Sequence, residues 1–164
     1  MEFLEALKKL ESSSEFKEWK GKNKEMYLVH GFAMLGSCKE DPMNWQIGYF
    51  DEKDDKITPM EVNGGVSIGQ PQDVFKKSET IKKLDAKKVK INLGKALEEN
   101  EKIRLEKYAK ETPVKVFVVL QNIEEGQVWN ITTATNTMNT INTKIDAGTG
   151  KVLSVKTENF MQMQ

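Results

Sequence analysis

The stretch Thr140–Thr157, TINTKIDAGTGKVLSVKT, predicts a β-hairpin. Two runs that alternate apolar and polar residues, 140–146 and 151–157, flank the turn Ala147-Gly148-Thr149-Gly150. Glycine reaches positive φ without steric cost, and an acid or hydroxyl side chain beside it can hydrogen-bond the turn backbone. We therefore expect two antiparallel strands here, and these strands close the sheet.

The segments before this hairpin alternate between helix and strand character. The acidic turn Asp51–Asp55 joins two of the predicted strands in a second hairpin, and Pro59 indicates an edge position because proline has no N–H to donate. Ser12–Ser14 predicts a break in the first helix, with Ser14 capping its second part, and Asn92 is a good N-cap for the later helix. Helices are predicted over 2–20 and 92–108, and strands over 26–35, 44–50, 56–62, 114–123 and 127–134.

The order helix, strand, hairpin occurs twice, which predicts an α+β fold of two tandem units. Each unit is a helix packed on an antiparallel sheet, because one amphipathic helix can cover one face of a few strands. Two short matches favour a duplication: Trp45-x-Ile47 resembles Trp129-x-Ile131, and Asp51-x4-Lys56-Ile57 resembles Asp146-x4-Lys151-Val152. The two matches need different offsets, so either the repeat contains an insertion or one match arises by chance. The expected boundaries are 1–63 for the first half, 64–91 for a Gly- and Pro-rich linker with a short helix over Asp73–Leu84, and 92–164 for the second half.

Composition restricts the classes of partner. The chain has 25 basic and 25 acidic residues, so a net charge of zero gives no overall attraction to nucleic acid or to an anionic membrane. No run approaches the roughly 20 apolar residues that span a bilayer. The first residues lack the pattern of a secretory signal. We expect a soluble protein of the cytoplasm, or an exported one if a leader precedes this sequence.

Catalytic, metal and cofactor sites are not expected. His30 is the only histidine and Cys38 the only cysteine, and the end of a predicted strand lies between them, so the sequence does not imply that they meet as a nucleophile and its base. A zinc site needs about four Cys, His or carboxylate ligands, which one cysteine and one histidine do not supply. We interpret His30 as a structural histidine in an apolar strand.

Three other patterns have simpler explanations than a ligand site. The acidic turn Asp51–Asp55 has oxygen ligands for weak Ca²⁺ binding but lacks the spacing and glycine of an EF-hand, so a solvated hairpin tip is favoured. Gly64, Gly65 and Gly69 lack the ending of a phosphate loop and suit a linker. The lysines between acidic residues are interpreted as solvated faces rather than nucleic-acid contacts. They are Lys20, Lys22, Lys24, Lys82, Lys83, Lys87, Lys88 and Lys90.

The C-terminal half resembles a PepSY domain. The residues that carry the resemblance are KINLGKALEEN (Lys90–Asn100), VWNITTA (Val128–Ala134) and IDAGTGKVLSVK (Ile145–Lys156). The resemblance covers roughly 90–157, whereas the first half matches only in its order of elements. It implies a cystatin-like fold, a helix packed on a curved antiparallel sheet. It also implies binding or regulation, for example of a peptidase, rather than catalysis.

Three hypotheses for function remain open at this point. The first is a non-enzymatic binding or regulatory protein that contacts a protein or peptide, with exposed sheet edges that accept an added strand. The second is a small-ligand-binding or enzymatic domain that uses the concave sheet face. The third is a structural oligomer, such as a homodimer with paired sheet faces. We also expect the threonine- and asparagine-rich run 131–144 to form an exposed sheet face, and Trp45 and Trp129 to lie between two facing sheets.

Overall fold

The computed structural model describes residues 1–74 and 81–159. In these ranges the chain forms three α-helices, one short 3₁₀ turn and nine strands. The helices are α1 (Phe3–Ser12), α2 (Ser14–Lys22) and α3 (Leu93–Lys107), and the 3₁₀ turn is Ala86–Lys88. The strands are β1 (Tyr27–Leu35), β2 (Trp45–Asp51), β3 (Lys56–Val62), β4 (Val66–Ile68), β5 (Gln72–Asp73), β6 (Pro113–Ile123), β7 (Gly126–Thr135), β8 (Asn139–Asp146) and β9 (Val152–Asn159).

All nine strands form one antiparallel sheet. Its order is β4-β3-β2-β1-β6-β7-β8-β9, with β5 also paired to β3. The α+β class and both predicted hairpins are confirmed. The expectation of two separate, facing sheets is wrong, because the first strands of the two halves pair with each other. Phe32 of β1 lies opposite Val119 of β6, and this pairing continues from His30 to Leu35.

The three helices cover one face of the sheet, which we call the inner face. Ser13, not Ser14 as predicted, caps α2, because its Oγ accepts a hydrogen bond from the Phe16 amide. Asn92 caps α3 as predicted, through a hydrogen bond from the Lys95 amide. The Glu2 carboxylate, just before α1, accepts from the first two amides of α3, so one acid joins the starts of two helices.

Two tryptophans occupy the centre of the inner face. Trp45 and Trp129 are fully buried, and their ring centroids are 6.3 Å apart. Gly31 and Ala33 of β1 carry almost no side chain, which leaves space on this face for aromatic rings. A Cβ added at Gly31 would lie 2.4 Å from the Phe3 ring, which packs directly on this backbone. The tryptophans therefore meet across the β1–β6 junction within one sheet, rather than between two sheets.

The other face of the sheet, which we call the outer face, has no helix over it within the described ranges. Alternate strand residues of the threonine- and asparagine-rich run lie there, including Thr132, Asn142 and Lys144. The other half is buried beneath α3, where Thr133 and Thr143 are at most 1% exposed. The expected exposed face is therefore wrong for alternate residues, because a strand turns successive side chains to opposite faces.

The segment expected to be a linker contributes to the sheet. β4 pairs with the end of β3, and β5 pairs with its beginning. Pro59 lies between the two pairings, so β3 is not an edge strand as predicted. Pro59 lies in the gap between β4 and β5, where no strand needs an N–H donor from it. Its carbonyl accepts a hydrogen bond from the Gly69 amide. The short helix predicted over Asp73–Leu84 falls largely on residues 75–80, outside the described residues.

Candidate functional site

The turn before β9 is fixed by one aspartate. The Asp146 Oδ1 accepts hydrogen bonds from the Gly148 and Thr149 amides, both at 2.8 Å, and Gly150 has a φ of 80°. Partial burial alone would raise the pKa of Asp146, but the hydrogen bonds from the Thr149 and Gly148 amides hold this pKa below its ordinary value. The charged aspartate thus fixes the direction in which β9 leaves the turn.

β9 forms one end of the sheet and pairs with β8 alone among the described residues. The Asp146 amide donates to the Lys151 carbonyl at 2.8 Å, so the even-numbered residues of β8 direct their backbone groups toward β9. Their partners in β9 include Lys156. Backbone direction alternates along a strand, so the N–H and C=O groups of Val155 and Thr157 point away from β8. This edge can therefore pair with another strand.

A depression lies beside the end of β9, on the inner face. It is bounded by the C-terminal end of α3 and by the ends of β8 and β9. Its lining residues are Tyr108, Glu111, Asn139, Ile141, Thr157, Glu158 and Asn159. A side chain from a strand added to β9 would meet this depression.

Glu111 is the most constrained acid in that depression. Its Oε2 accepts hydrogen bonds from the Thr135 hydroxyl at 2.6 Å and from the Thr137 hydroxyl, and its Oε1 accepts one from the Asn139 amide at 2.7 Å. These bonds, that of Thr135 first, lower the pKa of Glu111. The group is thus held as a carboxylate, although its side chain is near the surface.

A polar layer lies under α3. The Asn100 side chain is 2% exposed and donates to the Thr133 hydroxyl at 3.2 Å and to the Cys38 sulfur at 3.3 Å. The Asn100 carbonyl oxygen and the Thr143 hydroxyl are buried without a hydrogen-bond partner among the described residues. A buried polar atom without a partner costs about 1–3 kcal/mol. This layer is therefore a weakly stabilised part of the core.

His30 and Cys38 are not brought together. The His30 ring lies on the outer face against the backbone of Gly48, where burial lowers its pKa. Cys38 contacts Asn100 on the inner face, and burial raises the pKa of its thiol, with the Asn100 hydrogen bond acting against this. A raised pKa disfavours the reactive thiolate. The sheet separates the two side chains, so they cannot act as a nucleophile and its base.

The acidic turn Asp51–Asp55 stabilises its own hairpin. The Asp51 Oδ1 accepts hydrogen bonds from the Lys53 and Asp54 amides, at 3.0 and 3.4 Å, which is how aspartate stabilises a turn. Gly64 and Gly65 form the turn between β3 and β4. In residues 1–74 and 81–159, no group of three or more His, Cys, Asp or Glu side chains has the arrangement of a metal site.

The lysines interpreted as solvated faces fall in two segments, 20–24 and 82–90, which come close to each other at Lys20 and Lys83. The Lys20 ammonium donates to the carbonyls of Asn23, Lys24 and Met26 beyond the end of α2. Burial and then the charge of Lys83 lower the pKa of Lys20. Lys20 lies in the last turn of α2, where a positive charge is favourable, and its ammonium group is already bonded to backbone carbonyls.

Comparison with known proteins gives a fold likeness without a family. No family model and no curated protein matches the chain. Among solved structures, the chain is similar to a protein from Clostridium difficile 630 described as a "putative lipoprotein", with a TM-score of 0.53 and 18% sequence identity. The match covers 87% of this chain and 89% of that one. At this identity the likeness concerns the fold alone.

The helices of the described residues are too short or too polar to cross a membrane.

Proposed function

We propose that this is a non-enzymatic binding protein of the PepSY type, which binds an extended segment of a partner protein along the outer edge of β9. In such strand addition, backbone hydrogen bonds supply affinity, and side-chain pockets beside the edge supply specificity. The proposal has two parts, the type of unit and the place of binding, and different observations support each.

The two-unit interpretation is supported by matching contacts around the tryptophans. The Trp45 indole N–H donates to the Met1 carbonyl at 2.9 Å, two residues before α1 begins. The Trp129 indole N–H donates to the Ile91 carbonyl at 2.9 Å, two residues before α3 begins. Each half is also a helical segment followed by strands in the order of a meander. This is the arrangement that a pair of cystatin-like units joined edge to edge would have.

The place of binding rests on one observation, the difference between the two ends of the sheet. The β3 side is covered by β4 and β5 and is interrupted at Pro59. β9 is eight residues long, and Val155 and Thr157 direct backbone groups away from β8. A long uncovered edge strand is a template for another strand. This favours β9 over the opposite end.

The alternative of a ligand-binding or enzymatic concave face has less support. That function requires an open pocket with convergent titratable groups. Here α1 and α3 fill the inner face with the side chains of Phe3, Leu7, Leu93 and Leu97, all at most 5% exposed. His30 and Cys38 lie on opposite faces of the sheet.

The test removes one outward hydrogen-bond donor. Thr157→Pro deletes an amide that points away from β8, so the fold should be retained by circular dichroism while partner capture from native lysate is lost. Thr157→Val is the matched control, since it keeps the amide and should capture the partner as the wild type does. With the captured partner, hydrogen exchange at Val155 and Thr157 should slow. Equal capture by the proline variant would contradict the proposal.

The location is part of the same proposal. PepSY proteins are often exported or membrane-tethered, and the protein of similar fold from Clostridium difficile 630 is described as a "putative lipoprotein". We therefore include export in the proposal. Fractionation of source cells, with an antibody against this chain, would place the protein in the exported or cytoplasmic fraction, and a cytoplasmic result would contradict export.

A further inference from the structure

Two rows of side chains cross the outer face from one half to the other. Strand pairing places Phe32 of β1 beside Val119 of β6 at the centre of the first row, and Met34 beside Phe117 at the centre of the second. The first row runs in order through Glu61, Gln46, Phe32, Val119, Asn130 and Lys144, and the second through Met34, Phe117, Thr132, Asn142 and Lys156.

The centre of these rows is apolar, and the loop after β1 borders it, because Glu40 and Met43 line a depression together with Phe32 and Met34. Phe32, Phe117 and Val119 are only half-buried, and Met34 is 52% exposed. These four side chains are contiguous across the β1–β6 junction. An exposed contiguous apolar patch with a polar surround is typical of an interaction surface.

Charge is distributed unevenly on either side of this centre. Glu61 lies two strands beyond Phe32, and Lys144 lies two strands beyond Val119. At the usual strand spacing of about 4.8 Å, both charges are about 12 Å from the junction, on opposite sides. The outer face therefore has a negative end, an apolar centre and a positive end in one row.

We propose that this face binds a second copy of the chain, face to face, about a two-fold axis that runs parallel to the strands through the β1–β6 junction. This rotation places Phe32 against Val119 of the other copy and Met34 against its Phe117. It also places Glu61 of each copy against Lys144 of the other. The surface is thus complementary to itself in both polarity and charge, as an isologous interface requires.

Packing distances are compatible with this arrangement. Aligned sheets pack about 10 Å apart and about 30° from parallel, a distance that half-buried Phe and Met side chains fill from both sides. The polar ladder beside the centre supplies the rim, since the Asn142 amide already bonds Asn130 at 2.7 Å and Thr132 at 2.9 Å. The dimer would be a sandwich with the helices on its two outer sides. It leaves the β9 edge uncovered and does not depend on the function proposed above.

The first experiment is sedimentation of the full chain up to about 1 mM, a range that detects weak association. We expect a reversible dimer. Met34→Asp changes an exposed side chain at the apolar centre and should weaken the dimer at least tenfold. Circular dichroism checks that the variant is folded. A chain that remains monomeric over this range overturns the proposal.

A charge swap tests the orientation. Glu61→Lys and Lys144→Glu should each weaken the dimer about tenfold, while the double variant with both changes should restore it, because each lysine then meets a glutamate again. Glu52→Lys and Lys151→Glu, at the hairpin tips, are the matched controls and should leave association unchanged. A dimer that is indifferent to the swap, or that is lost in Thr157→Pro, would contradict face-to-face pairing.

Discussion

The two halves of the molecule share one sheet but hold their helices against it with different chemistry. In the N-terminal half, Phe3 packs edge-on against Trp45, and Phe16 and Trp19 pack against Tyr49. In the C-terminal half, α3 covers Thr133 and Thr143 and directs Asn100 at them. The first half is held mainly by aromatic contacts and has one buried polar atom without a partner among the described residues, the Thr58 hydroxyl, whereas the second contains a polar layer with two such atoms.

This difference indicates where the protein opens most readily. Buried aromatic pairs add about 0.5–1.5 kcal/mol beyond their area, whereas unpaired polar atoms subtract a similar amount. The C-terminal half should therefore have the lower local stability, and hydrogen exchange should be faster in β8 than in β2. The proposed binding edge, β9, belongs to that less stable half.

The largest expected effect comes from removing the tryptophans. Trp45→Ala and Trp129→Ala should each lower the free energy of unfolding by about 3–5 kcal/mol, because each deletes a fully buried ring. The two rings touch, so the double variant should lose less than the sum of the single losses. Urea unfolding of all three variants measures this coupling. Strict additivity would mean that the halves do not share a core.

A smaller effect is expected within the polar layer. Thr143→Val should raise the free energy of unfolding by up to about 1 kcal/mol, because it removes a buried hydroxyl without a partner while keeping the shape of the side chain. Thr133→Val is the matched comparison and should lower it by about 1 kcal/mol, since Thr133 accepts a hydrogen bond from Asn100. Equal effects at the two positions would disagree with the structure.

The smallest effect concerns pH. The folded-state pKa of Glu111 lies below its ordinary value of 4.5, so its contribution to stability is present above pH 4.5 and is lost as pH falls through the folded value. Glu111→Gln should therefore reduce stability at neutral pH and change it little in strong acid. Thermal unfolding between pH 2 and 7 gives the difference curve. The exposed Glu52→Gln is the control, and an identical curve for both variants would exclude this role for Glu111.

Local features were predictable from the sequence, and distant pairing was not. The hairpin around Ala147–Gly150 and the N-cap Asn92 depend on neighbouring residues, so their chemistry is visible in the sequence. The pairing of β1 with β6 joins segments far apart, and nothing in either segment specifies its partner. For the same reason the position of β9 at the end of the sheet could be recognised only after the strand order was known.

One site residue was missed although its spacing was informative. Asn100 continues the stripe of Leu93, Ala96 and Leu97, so it falls on the buried side of α3. Leu105, by contrast, lies off that spacing and is 55% exposed although it is apolar. At both positions the helical spacing, and not the polarity of the residue, decides whether the side chain is buried. Glu111 gave no comparable signal, since its three donors come from other parts of the chain.

The pairing of Phe32 with Val119 also has a consequence for synthesis on the ribosome. The apolar β1 segment, YLVHGFAML, emerges long before its neighbour β6 has been translated. Until then only β2 can pair with β1, so the other edge of β1 is unpaired in the nascent chain, and such edges recruit other unfolded polypeptides. Slow translation of residues 36–112 would prolong this exposure, so chaperone demand should depend on that interval more than on the final stability of the native protein.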